Sequence, residues 1–156
     1  MISILFVCHG NICRSPMAEF VMKDMVRKSG LEREIYVESA ATSTEELGND
    51  MHHGSKARLR EAGIPFTRRS ARQICPDDYG EFDYIIVMDQ SNMRNIRRII
   101  RSDPDGKIFK LLDFTDRVGE DIADPWYTGD FDLTYNDITE GCEGLLEFLC
   151  KSKISY

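Results

Sequence analysis

ISILFVCHGNICRSPMAE, residues Ile2 to Glu19, decides how the chain is read. An apolar run from Ile2 to Val7 stops at a cysteine, and five residues separate that cysteine, Cys8, from Arg14. A short, continuous, β-branched-rich run is the pattern of a strand buried on both faces. Ser15-Pro16 then reads as a helix start, with Ser15 as cap and Pro16 in the first helical position. Ala18, Val21, Met22 and Met25 recur at i, i+3, i+4 and i+7, and Ser29-Gly30 closes the helix. The stretch is therefore a buried strand, a glycine-containing loop and a helix.

The same alternation continues downstream. IYVESA (35–40) is a second strand, and GSKARLREAGI (54–64) is a helix closed by Gly63. FDYIIVMD (82–89) is a third strand, SNMRNIRRII (91–100) a helix capped by Ser91, and KIFKLL (107–112) a fourth strand. After a long loop, TYNDITEGCEGLLEFLC (134–150) is the last helix, which Gly141 and Gly144 weaken. Strands alternating with helices predict an α/β fold: a four-stranded parallel sheet with helices on both faces. Ligands in such folds bind beyond the carboxyl ends of the strands. Cys8, Asp89 and the loop after the fourth strand all fall at that end.

The loop from Cys8 to Arg14 joins a strand to a helix N-terminus, where free backbone N–H groups and the helix dipole favour an anion. Gly10 lets the backbone wrap inward. Arg14 adds a planar fork for two oxygens of a tetrahedral oxyanion. Cys8 sits at the base of this cradle. The same N–H groups and the Ser15 hydroxyl favour its thiolate, a nucleophile for phosphoryl transfer. The plainer reading is that Cys8 is a small buried hydrophobe at a strand end; the ordered context of strand, loop, arginine, Ser-Pro and helix favours the chemical one.

Phosphoryl transfer from an ester also needs a proton donor for the leaving oxygen. Two Asp-Pro pairs compete. Asp103-Pro104 leads into the fourth strand, at the wrong end of the sheet. Asp124-Pro125 follows that strand, and Trp126 and Tyr127 can wall a cleft for an aromatic leaving group. Asp113, Asp116, Glu120, Asp121 and Asp130 lie nearby, so spacing alone does not choose; position and aromatic neighbours favour Asp124.

Composition narrows the setting. A chain of 156 residues, 42% hydrophobic and 30% charged, suits one domain over 1–156. A net charge of −7 disfavours nucleic acid and anionic membrane unless a local patch reverses the sign. No run is long enough to span a bilayer, and the N-terminus reads as a strand and not as a signal peptide. Five cysteines without framework spacing argue for a reducing, cytoplasmic compartment. No ligand cluster suggests a metal, and the adjacent His52 and His53 suit a loop.

These residues resemble a known family. VCHGNICRSPMAE is similar to the signature loop of the low-molecular-weight protein tyrosine phosphatases, and ESAATS, GI, ARQI, FDYIIVMDQSN and DPWY follow in the family's order across essentially the whole chain. The resemblance implies a hydrolase that removes phosphate from phosphotyrosine proteins or small aryl phosphates, through a cysteinyl-phosphate and without a cofactor. It implies Cys8 as nucleophile, Arg14 as phosphate ligand and Asp124 as general acid, then base. It places His9, Gly10, Asn11, Ile12, Cys13 and Ser15 around the phosphate, with Asn11 and Ser15 shaping the loop. It makes Cys13 a partner for a reversible disulfide with Cys8, Trp126 and Tyr127 cleft walls, and Asp89, Ser91 and Asn92 a supporting segment. Free phosphate is then both product and inhibitor.

The chain departs from the pattern in two places. Glu45 and Glu46 stand where an aromatic is usual, and either make an acidic wall favouring substrates with basic neighbours or point into solvent. Ala62 replaces a histidine before Gly63-Ile64, so something else supports the loop. Ile12 stands where the arginine-phosphate branch carries threonine, which favours phosphotyrosine over phosphoarginine. An arsenate reductase-like oxidoreductase also shares the loop, but Cys75, Cys142 and Cys150 form no close redox relay and such a reaction has no use for Asp124.

Overall fold

The structure, a computed structural model, describes residues 1–154. Four parallel strands, β1 (Ile2–Cys8), β2 (Ile35–Ala41), β3 (Tyr84–Val87) and β4 (Ile108–Lys110), form one sheet in the order β2-β1-β3-β4. The helices are α1 (Arg14–Lys28), α2 (His53–Glu61), α3 (Asp78–Glu81), α4 (Gln90–Ile96), α5 (Pro125–Thr128) and α6 (Phe131–Ser152), and a 3₁₀ turn, Leu111–Phe114, follows β4.

The alternation of β1 explains the layers. Ile4, Phe6 and Cys8 face a core shared with Met17, Val21 and Met22 of α1 and Ile138, Cys142 and Leu145 of α6. Leu5 and Val7 face the other side, against Ile85 and Val87 of β3 and Ile96 of α4. Both faces are covered, so the β1 run has no polar alternation to show.

Strand order also locates a crevice. The chain moves from β1 outward to β2, then returns to β3 on the other side of β1. The loops after β1 and β3 therefore diverge at a topological switch point, where α/β folds bind ligands. Cys8 ends β1 and Asp89 follows β3, on neighbouring strands. Asp103 instead accepts from the amides of Lys107 (2.7 Å) and Ile108 (3.1 Å) at the start of β4, at the opposite end.

Three local expectations are corrected. Helix α1 starts at Arg14 with Cys13 as cap and no side-chain capping bond; Ser15 lies inside the first turn. Its hydroxyl is engaged by Cys8 and Asn11, so it is not free to cap. Helix α4 is capped by Asp89, whose Oδ1 accepts from the Asn92 amide at 2.7 Å, and Ser91 is exposed. That helix ends at Ile96 and not at Ile100; the chain tightens into turns, with Arg98 N–H on Asn95 O (3.2 Å) and Ile99 N–H on Ile96 O (3.0 Å). Arg94 and Arg98, and Arg97 and Arg101, are like-charged pairs at i,i+4, which disfavour a regular helix.

The glycines of α6 have a packing reason. A Cβ on Gly144 would lie 2.2 Å from the carbonyl oxygen of Phe114, and one on Gly141 would lie 2.4 Å from the Leu111 side chain. They weaken helix propensity but let α6 lie directly on the 3₁₀ turn.

Candidate active site

The loop after β1 folds around the sulfur of Cys8. Cys8 is 3% exposed. Its Sγ lies 3.0 Å from Ser15 Oγ and accepts from the Ser15 amide at 3.4 Å. Among the described residues, the amides of residues 10–13 have no protein acceptor. A run of free N–H groups beside a helix N-terminus is an anion cradle.

The loop turns inward at Asn11, not Gly10. Asn11 has φ +58°, the one positive φ among described non-glycine residues, whereas Gly10 has none. Asparagine tolerates this region, and here its amide holds the turn. Its Nδ2 donates to Ser15 Oγ (2.8 Å) and Ser39 Oγ (2.9 Å), and Ser39 donates on to Glu19 (2.6 Å). Its Oδ1 accepts from the guanidinium of Arg69 and from the amide of Arg72. Arg69 thus supports the loop in this chain; it lies 58 positions after Asn11, and no local pattern marks it. Two more supports come from around α2: His52 N–H donates to Ile12 O (2.7 Å), and Ser55 Oγ donates to Cys13 O (3.1 Å).

Arg14 is 2% exposed. Its Nη1 donates to Asp89 Oδ2 (2.6 Å) and to the Ile122 carbonyl (2.9 Å), and its Nη2 reaches Asp124 Oδ2 (3.4 Å). Its Nε has no partner. Burial opposes the positive charge, but Cys8, Asp89 and Asp124 overcome this and hold the guanidinium's pKa above its ordinary value. Asp89 and the Ile122 carbonyl anchor one edge of the fork and leave Nε free. An unpaired donor on so buried a group signals a site that awaits an acceptor.

Asp124 caps the short α5, with Oδ1 accepting from the Trp126 amide at 3.0 Å. Pro125 at the first position of α5 stiffens this turn. Asp121 points elsewhere: it accepts from the Gln90 amide (3.1 Å) and pairs with Lys110 (2.9 Å). Cys8, His9, Gly10, Ile12, Cys13, Arg14, Asp124, Trp126 and Tyr127 line one cleft of about 100 Å³, together with Glu45 and Glu46. Trp126 and Tyr127 are 58% and 82% exposed and stand as walls, not core. His52 braces the Trp126 ring edge-on at 5.7 Å. Burial, and then His53, pushes the pKa of His52 down, which suits its Nδ1 accepting from Gly54 N–H at 3.0 Å. Glu45 lies 2.9 Å from His9 Nε2, while Glu46 bonds Asn49 at 2.6 Å.

Cys13 shares the cleft, and burial, followed by the Cys8 charge, pushes its thiol up to about 12. Cys142 is fully buried in α6 and raised chiefly by burial; Cys75 is exposed and Cys150 half-buried. None of the last three lines the cleft. Among the described residues no group of three or more His, Cys, Asp or Glu is placed to hold a metal ion.

A loop of free amides around a buried sulfur, closed by an arginine fork and faced by an Asp-Pro-aromatic turn, defines a class: cysteine-dependent phosphatases on a parallel α/β sheet. The comparisons agree. The family model for low molecular weight phosphotyrosine protein phosphatase matches residues 3–154. The low molecular weight protein-tyrosine-phosphatase YfkJ of Bacillus subtilis is 44% identical, covering 98% of this chain and 99% of its own. Its crystal structure superposes with a TM-score of 0.94 over 99% and 98% of the two chains, at 42% identity. PtpA of Staphylococcus epidermidis, of the same description, is 39% identical over 97% and 96%. The crystal structure of the Drosophila arginine phosphatase DARP matches with a TM-score of 0.84 at 32% identity, over 97% and 99%. The chain belongs to the low molecular weight phosphotyrosine protein phosphatase family.

Proposed function

We propose that this chain is a cysteine-dependent phosphatase that hydrolyses phosphotyrosine in phosphoproteins. The observation that carries the reading is Arg14: buried, anchored on Asp89 and the Ile122 carbonyl, left with a free Nε, and lining the same cleft as Cys8. The phosphate dianion enters the loop, taking the free amides on its oxygens and the Arg14 fork on two of them.

Cys8 thiolate then attacks phosphorus. The S–P bond forms as the bond to the aryl oxygen breaks, and Asp124 delivers its proton to that oxygen. The phenol leaves as a neutral group. Asp124, now a carboxylate, takes a proton from water as the water oxygen attacks phosphorus. The S–P bond breaks, the thiolate returns, and inorganic phosphate departs. Phosphate occupies the same cradle and therefore inhibits. The Ser15 hydroxyl and amide hold the leaving thiolate in the second step. Trp126 and Tyr127 flank the aryl ring, which supports an aromatic leaving group over an alkyl one. Ile12 lines the same cleft and supports phosphotyrosine over phosphoarginine. A thiolate nucleophile works in a reducing compartment, which supports a cytoplasmic site of action. No helix among the described residues is long and apolar enough to cross a membrane.

The test is Cys8→Ser assayed on p-nitrophenyl phosphate and a phosphotyrosine peptide. The expected result is retained phosphate binding with turnover lower by many powers of ten, and a phosphocysteine trapped in wild type by rapid acid quench. A variant keeping more than about a tenth of wild-type turnover overturns the assignment of the nucleophile.

A further inference from the structure

Beside the catalytic cleft lies a second depression, of about 380 Å³, that the reaction above does not use. The two share His9 and Glu45. Its wall includes Thr42, Asn95 and Arg98. Thr42 is 7% exposed, and its Oγ1 has no hydrogen-bond partner. A buried hydroxyl without a protein partner has an unused donor, which an acceptor entering the adjoining depression satisfies. Thr42 is also tied to the nucleophile's strand, because its amide donates to Cys8 O at 2.9 Å.

Arg98 belongs to a larger feature. Arg94, Arg97, Arg98 and Arg101 recur at i, i+3, i+4 and i+7 along α4 and its trailing turns, and all four are exposed. Asn92, Ile96 and Ile100 are buried on the opposite side. None of the four arginines belongs to an ion pair among the described residues, although the chain as a whole carries a net charge of −7. Acidic side chains are plentiful, yet none forms an ion pair with this stripe; Asp103 lies within electrostatic reach of Arg97 alone among the four. Helix α4 is capped by Asp89, the residue that anchors Arg14, so the arginine stripe lies on the segment that leads away from the active site.

Building on the phosphatase reading, the geometry points to a docking surface for an acidic segment of the phosphoprotein substrate: a carboxylate near the phosphotyrosine enters the Thr42–Arg98 depression, and further acidic residues run along the arginine stripe. Arg98 supplies donors to that carboxylate, and rotation of the Thr42 side chain brings its unpartnered Oγ1 into the same depression. Charge complementarity and adjacency to the cleft select this occupant. Glu45 also lines the depression, hydrogen-bonded to His9 Nε2 at 2.9 Å, and is the one acidic side chain on its wall, against Arg98. Glu46, on the catalytic cleft alone, leaves that rim with the other sign.

The test compares phosphotyrosine peptides carrying three aspartates on one side or the other with an alanine-flanked peptide and with p-nitrophenyl phosphate. The enzymes are wild type, Arg94→Glu/Arg98→Glu and Thr42→Val. In wild type, kcat/KM for one aspartate peptide is expected to exceed that for the alanine peptide by roughly fivefold, from two or three exposed charge pairs. The preference shrinks between about 0.02 and 0.3 M salt as screening shortens. The double reversal abolishes or inverts it, and Thr42→Val reduces it without loss of thermal stability, since an unpaired buried hydroxyl is removed. All variants keep p-nitrophenyl phosphate turnover within about twofold, because none of these residues touches the phosphate.

Absence of a preference in wild type, or its survival in the double reversal, overturns the proposal. Arginine-dependent binding of a single-stranded oligonucleotide or of phosphatidylserine vesicles, without a peptide preference, does the same and assigns the stripe to that partner. Failure of wild type to hydrolyse p-nitrophenyl phosphate overturns the phosphatase reading itself, so the two failures are distinct.

Discussion

Arg69 offers the most searching perturbation, because it acts on the nucleophile through two other residues. Its guanidinium holds Asn11 Oδ1, Asn11 holds Ser15, and Ser15 holds Cys8 Sγ. Asn11 is fully buried and sits at φ +58°, a conformation its side-chain bonds maintain. Changing Arg69 to Met keeps the stem but removes the charged donor; the Arg72 amide still reaches Asn11 Oδ1, at 3.3 Å. One hydrogen bond to a charged group contributes about 1.5–3 kcal/mol, and the remaining amide offsets part of this, so the loss is roughly 1–2 kcal/mol. For a domain of this size that corresponds to a fall in Tm of about 2–8 °C. The same loosening misaims Ser15 and the sulfur, and a misplacement on the ångström scale can lower kcat by up to about a hundredfold. Calorimetry and kcat on p-nitrophenyl phosphate read the two effects. Arg69→Lys, which keeps a donor, restores part of kcat, whereas a purely structural role gives a Tm loss with kcat unchanged. A variant Arg69→Met with wild-type Tm and kcat within about twofold of wild type would refute the relay from Arg69 to Cys8.

Other outcomes follow from the same geometry. Asp124→Asn lowers turnover by roughly two to four powers of ten for poor leaving groups and least for p-nitrophenolate, while Asp121→Asn, whose carboxylate is engaged by Gln90 and Lys110, behaves as wild type; a leaving-group series measures both. Peroxide converts the Cys8 thiolate to a sulfenic acid, and Cys13 closes a disulfide on it with loss of water; thiol treatment then restores wild type, and Cys13→Ser recovers much less because oxidation proceeds to sulfinic acid, with equal recovery removing the protective role. Gly144→Ala lowers Tm despite alanine's helix propensity advantage of about 1 kcal/mol, because the new methyl meets the Phe114 carbonyl at 2.2 Å; a raised Tm by circular dichroism refutes the close approach.

How much of this was legible in the sequence differs from element to element. The β1 run announced a strand buried on both faces because its apolar residues are continuous, and the spacing of Cys8 to Arg14 ahead of a helix announced an anion loop because adjacent residues build it. Asp124 was separable from Asp103 by position alone, since strand order assigns each to one end of the sheet. The inward turn at Asn11 was misplaced onto Gly10, because glycine's freedom is visible in sequence and asparagine's side-chain restraints are not. Capping was misassigned at Ser15 and Ser91: a serine's preference for a helix start is visible in sequence, but the claim of Cys8 and Asn11 on the Ser15 hydroxyl depends on how the loop folds, and Asp89, which caps α4 in place of Ser91, is also held by Arg14 from far along the chain.

What the sequence by itself determined, then, is everything built from neighbours: the strand–loop–helix order, the parallel sheet it implies, the nucleophile and the arginine that share one loop, and the aromatic residues beside Asp124. What only the tertiary structure decided is everything that needs two distant segments at hydrogen-bond range. The Arg14 fork is oriented by Asp89 and Ile122, the loop is supported by Arg69, and Trp126 is braced by His52, across separations that no periodicity records. The physical reason is one of range. Propensity and dipole effects act within a turn or two of helix, so they are written in adjacent residues; a directional hydrogen bond between segments brought together by the sheet exists only once the sheet has formed.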